Sequence, residues 1–144
     1  MLLKRMAAPL AATLLIGCAT GYQDATNPLL GMAGGYWEQK GPGELIKVGF
    51  AGNGYITREK VGVYLLYRCA EIAQREKRPY FALYPNLPAA VMGRSSSEKS
   101  VTTTSGKPTV YVYILFFDSP GAGLLDTSEL LARLEPEVKG SATK

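Results

Sequence analysis

The stretch Thr109-Val110-Tyr111-Val112-Tyr113-Ile114-Leu115-Phe116-Phe117-Asp118 decides the fold. Val110, Val112, Ile114 and Phe116 fall on one face of an extended chain, and Tyr111, Tyr113, Leu115 and Phe117 fall on the other. A strand apolar on both faces belongs in the middle of a sheet with cover on each side. Working outward, residues 80–84 are a second short apolar strand. Residues 36–39 and 44–50 alternate across Gly41-Pro42-Gly43, a hairpin pattern that puts Ile46, Val48 and Phe50 on one face.

Between hairpin and sheet lies a long helical segment. Thr57 is an N-cap, and Ile56 and Val61 hold the two positions of a hydrophobic staple. From Arg58 to about Lys77, the residues Val61, Leu65, Cys69, Ile72 and Ala73 recur at helical spacing. Val63, Leu66, Tyr67 and Ala70 widen the apolar surface, so more than one side of this helix is covered. Pro79 ends it. A shorter helix starts at Asp126, with Glu129 at capping-box spacing and Leu125 and Leu130 as staple. Its apolar face is Leu130, Leu131 and Leu134, and Pro136 follows its end. Residues 85–108 form a long polar connection with a strand near residues 101–104, and this connection is the expected site of limited proteolysis. The fold class is α+β: a small two-layer domain with a four-or-so-stranded sheet packed by one long helix. The C-terminal helix is expected over part of the other face or an edge.

The chemistry is bounded by what is missing. With no histidine among 144 residues, the commonest general base and metal ligand is absent, and Ser-His-Asp and Cys-His arrangements are excluded. No metal or cofactor cluster is apparent, so the ligand expectations are metal none and cofactor none, and the chain reads as non-enzymatic. Ser96-Ser97-Glu98-Lys99 fits an S-x-x-K spacing, but in a Ser-rich loop without companion motifs it carries little. Gly52-Asn53-Gly54-Tyr55 before a helix is a tight turn; its amides, with Asn53 and nearby Arg58, make the alternative a small module for an anion or lipid head group. Cys69 lies on the apolar stripe, as a buried inert thiol does. Arg68 falls between Leu65 and Ile72 and needs a partner: Glu71, Glu59 and Asp118 are the candidates, and a structural salt bridge is favoured over a ligand site. A pocket around Asn53 and Arg68 would favour the binding module. An exposed aromatic surface from Trp37, Tyr36 or Tyr113 would favour a protein partner.

The amino terminus is a targeting segment by pattern. Lys4 and Arg5 precede the uncharged run of residues 6–16, which is too short to span a bilayer of about 20 apolar residues. Leu15-Ile16-Gly17-Cys18 closes it and resembles the lipobox of bacterial lipoproteins. That resemblance implies a diacylglycerol on Cys18, cleavage after Gly17 and an acylated new amino terminus. Ala19, rather than Asp, then implies the outer membrane of a double-membraned bacterium, with the domain facing the periplasm. Removing the cations Lys4 and Arg5 lowers the formal charge from +4 to +2. No basic cluster suggests nucleic acid. With Cys18 acylated, Cys69 is alone and no intramolecular disulfide can form.

The expected organisation is a signal peptide over residues 1–17, then the lipidated cysteine and a flexible tether over 18–35. A single domain over 36–136 and a flexible tail over 137–144 complete it. A tether of that length spans roughly 20–25 Å, so partners are the bilayer through Cys18 and a membrane-proximal envelope protein. Gly52-Asn53-Gly54-Tyr55, Tyr64-Leu65-Leu66-Tyr67-Arg68 and Ala70-Glu71 resemble a family of small bacterial lipoproteins without an established activity. Its pattern is a strand, a Gly-Asn-Gly-Tyr turn and a Tyr-Leu-Leu-Tyr-Arg-Ala-Ala-Glu helix. The likeness covers residues 36–84 well and the C-terminal helix loosely. Cys69 replaces an alanine of that pattern, and Arg78-Pro79 replaces a glycine after the helix.

Overall fold

A computed structural model describes residues 18–26, 34–96, 102–104 and 106–140. The signal segment, residues 27–33 of the expected tether, Ser97, Glu98 and Lys99 of the S-x-x-K spacing, and residues 141–144 lie outside the described residues. The elements in chain order are β1 (Gly35–Lys40), β2 (Ile46–Ala51), α1 (Arg58–Arg75), β3 (Tyr80–Tyr84), α2 (Leu87–Val91), β4 (Thr102–Thr104), β5 (Lys107–Phe117), β6 (Leu125–Asp126) and α3 (Thr127–Lys139). One antiparallel sheet runs in the order β1-β2-β5-β3-β6, with β4 also paired to β5. The fold is α+β, with helices packed against the sheet as expected.

β5 is the hub because it is long enough to serve three neighbours. Its residues 109–114 pair with β2, 113–117 with β3 and 107–109 with β4. Val110, Val112 and Ile114 join Val48, Phe50, Phe81 and Leu83 in the main core, against Val61, Leu65, Cys69, Ile72 and Ala73 of α1. Each fully buried large side chain of this kind contributes about 1.5–3 kcal/mol. Thr57 Oγ1 accepts from Lys60 N and caps α1 as its residue type requires.

Three expectations are corrected. α3 lies beside α1 on the same face of the sheet, where Leu130, Leu134 and Val138 complete the main core. The stripe at residues 130 and 134 needs cover, and the apolar flank of α1 offers more of it than the sheet edge does. α3 also continues through Pro136 to Lys139, so residues 137–140 are not a loose tail. Proline removes one donor there, but Val138 is only 5% exposed and Lys60 Nζ donates to the Glu137 carbonyl at 2.9 Å. Finally, the opposite face of β5 is covered over half its length. α2, with Asn86 as N-cap, and the loop at Leu124 shelter Tyr113, Ala82 and Tyr84, whereas Tyr111 is 45% exposed.

Candidate functional site

Residues 18–26 are joined to the domain, where the sequence pattern suggested a slack tether. β2 ends at Ala51, and Gly52 N donates to the Pro108 carbonyl at 2.8 Å, bending the chain into the turn at Asn53. Asn53 Oδ1 accepts from Tyr55 N at 3.0 Å, an Asx-turn, and from Thr20 N at 3.2 Å. Its Nδ2 donates to the Cys18 carbonyl at 2.8 Å, and its own N–H donates to Thr20 Oγ1 at 2.7 Å. One asparagine thus holds Cys18 and Thr20 together, and Thr20, only 4% exposed, has both its hydroxyl and its amide satisfied, as a buried polar residue requires.

Four residues on, the chain adds a short edge to the sheet. Tyr36 N donates to the Gln23 carbonyl and Ala25 N to the Tyr36 carbonyl, both at 2.8 Å, around a parallel bridge between Asp24 and Tyr36. Tyr22 then turns inward against Tyr36, Tyr64 and Tyr67, with ring centroids 4.8, 5.5 and 5.4 Å away. Its hydroxyl donates to Glu71 Oε2. Burial first, and the hydrogen bond to Glu71 second, hold the Tyr22 phenol far above its ordinary range.

Arg68 completes this cluster. Its Nη1 meets Glu71 at 3.2 Å and its Nη2 meets Glu38 of β1 at 3.1 Å, while Cζ lies 4.1 Å from the Tyr36 ring centroid. Arg75 reaches the other Glu38 oxygen at 2.9 Å. Burial alone would lower the Arg68 pKa, but the Glu71 hydrogen bond and the charges around it raise it on balance. Arg68 Nε is buried with no partner among the described residues.

The candidate residues therefore sort into two groups. Cys18 and Asn53 meet directly; Arg68 and Glu71 meet directly; and residues 18–26 link the two. Arg58 is the first residue of α1 and is exposed. Of the partners expected for Arg68, Glu71 meets it and Asp118 instead pairs with Arg78 at 2.7 Å, while the second partner, Glu38, is not one of those expected. The amides of Gly52, Asn53 and Tyr55 all donate within the chain, which weakens the anion-cradle reading of the turn. A groove of about 390 Å³ borders the Arg68 cluster at Glu38 and runs between Gly43, Glu44, Glu76 and Phe116. Among the described residues no acid or cysteine cluster is placed to hold a metal ion, and no helix is long and apolar enough to cross a membrane. Thr20, Tyr22 and Glu38 are the residues that sequence reasoning missed.

A second surface is built on the half of the sheet that no described helix covers. Trp37 and Gly49 are register partners, and the indole lies over the glycine so closely that a Cβ there would be 2.1 Å from the ring. Lys47 Nζ sits 4.3 Å from the Tyr111 ring centroid, 5.7 Å from Trp37 and 5.9 Å from Tyr113. Tyr36, one of the three residues whose exposure would favour a protein partner, points to the helix side and packs on the main core. Tyr113 is 8% exposed, and Tyr111 is the tyrosine that reaches water. No protein-family model, curated protein or solved structure matches the chain.

Proposed function

We propose that this chain is a lipid-anchored envelope domain, acylated at Cys18 and held at the outer membrane, that presents the Trp37-Lys47-Tyr111 face to another envelope protein. One observation carries the protein-partner part: a partly exposed aromatic patch with a cation lodged in it, on the one stretch of sheet face that no described helix covers. Tyrosine and tryptophan dominate the energetics of protein interfaces, and a half-buried lysine held over their rings adds a cation–π contact that fixes the patch. The resemblance of residues 36–84 to small bacterial lipoproteins and the lipobox-like ending at Cys18 support the anchoring part.

The register also sets where that face stands. Gly49, opposite Tyr111, is two residues from Ala51, and Lys47 is four. At about 3.4 Å per residue, the patch begins about 7 Å from the Asn53 end of the sheet and reaches about 14 Å. With the Cys18 carbonyl bonded to Asn53, the proposed anchor would bring a partner of that face close to the membrane. The test is a photocrosslinker placed at Tyr111 in intact cells. One recurrent crosslinked protein, lost when Trp37 and Lys47 are both replaced by alanine, supports the reading. Crosslinks no different from those of a probe at exposed Glu44 contradict it.

A further inference from the structure

We infer that the pole formed by Cys18, the turn at Asn53 to Tyr55 and the neighbouring turn at Gly106 is a bilayer-contacting surface, so that the anchor fixes one orientation of the domain. This deepens, and rests on, the proposed acylation of Cys18.

A slack tether would let the domain tumble roughly 20–25 Å above the lipid. The Cys18 carbonyl is instead hydrogen-bonded to Asn53 Nδ2, and Thr20 is locked to the same asparagine through its N–H and its hydroxyl. The sulfur of a cysteine lies within about 5 Å of its own carbonyl oxygen. The headgroup layer is about 5–7 Å thick on each side of a bilayer. An acyl chain on that sulfur, sunk in hydrocarbon, draws the Asn53 turn into or onto the headgroups.

The residues at that pole suit the place. Tyr55, whose N–H is bonded to the same Asn53 oxygen, is 67% exposed. An amphipathic ring is favoured at headgroup depth, with its face toward acyl carbon and its hydroxyl toward water. The Gly106 carbonyl lies 4.0 Å from where a Cβ on Gly54 would be, so both turns end at one level. Lys107 and Arg58, both exposed, flank them and match anionic headgroups. The Asn53 turn thus meets lipid as a surface, with its amides already bonded inside the chain.

The experiment uses the full chain, processed in cells and reconstituted in vesicles of phosphatidylethanolamine and phosphatidylglycerol brominated near the headgroup end of the acyl chains. Trp37 is the single native tryptophan and sets the baseline. The Tyr55→Trp variant should be quenched several-fold more strongly than the Glu44→Trp variant, whose site lies at the far end of the β1–β2 hairpin. Adding Asn53→Ala to Tyr55→Trp should reduce the quenching to the Glu44→Trp level. A lipidated chain with equal quenching at both sites, or quenching that survives Asn53→Ala, overturns this inference and leaves acylation standing. An unmodified Cys18, read by mass on the same preparation, overturns both.

Discussion

The hydroxyl of Tyr22 donates to the carboxylate of Glu71 across 49 positions of sequence, and so fastens the segment after Cys18 to the far half of α1. Around that bond the ring is enclosed by three other tyrosines. Removing the hydroxyl leaves Glu71 with Arg68 alone, and Tyr22→Phe should lower unfolding free energy by about 1–2 kcal/mol in urea titration.

The same bond sets an alkaline limit. Burial, then Glu71, raises the Tyr22 phenol above its ordinary value of 10.0. The folded chain keeps a proton that the unfolded chain releases above about pH 10. That stabilisation is complete below this pH and is lost as pH rises beyond it. Tyr22→Phe should flatten the alkaline fall in stability, though burial of Tyr36 and Tyr67 raises their phenols too and leaves part of the slope. An unchanged slope would place Tyr22 in water.

Arg68→Ala removes two ion pairs and the stacking on Tyr36. Breaking a fully buried pair costs about 3–5 kcal/mol. Here the Arg68 side chain is 19% exposed, and each carboxylate keeps a second partner, Arg75 for Glu38 and Tyr22 for Glu71. The expected loss is therefore about 2 kcal/mol, measured by chemical denaturation. A loss within error of zero would contradict the cluster's structural role.

How much of this was readable depends on how local the cause is. β5 announces itself because both its faces are apolar, and the caps Thr57 and Asp126 act within three residues, so α1 and the start of α3 could be placed from residue type and spacing. The docking of residues 18–26 could not. Thr20, Tyr22 and Gln23 follow no period, and the side-chain partners of Thr20 and Tyr22 lie 33 and 49 positions away. Glu38 reads as an ordinary outward acid until the strand is seen to turn it toward Arg68. α2 is five residues long, too short for a periodic signal, although Asn86 before Leu87-Pro88 is a legible cap. Pro136 misled for a physical reason: a proline usually ends a helix, but here the burial of Val138 outweighs one lost donor.

Gly49→Ala should destabilise the domain by about 1–3 kcal/mol, because a methyl group there would collide with the Trp37 ring. The readout is direct, since Trp37 is the only tryptophan. Its emission should shift to the red as the ring is pushed into water. Unchanged emission would mean that the indole does not lie over Gly49.

Lys77 occupies the left-handed region, at φ 55°, just after α1. Arg78 N donates to the Ala73 carbonyl and Lys77 N to the Gln74 carbonyl, which is the Schellman arrangement that glycine normally serves. Lys77→Gly should therefore stabilise the chain by about 0.5–1 kcal/mol. A lower melting temperature would contradict this account of the helix end.

The proposed anchoring, and the membrane-proximal partner that depends on it, rest on one residue. Mass spectrometry of the N-terminal peptide from protein made in its native host tests it most directly. The account predicts a chain beginning at Cys18 with a diacylglycerol on sulfur and an acyl group on the new amino terminus. An unmodified Cys18, or a mature start at any other residue, would contradict it.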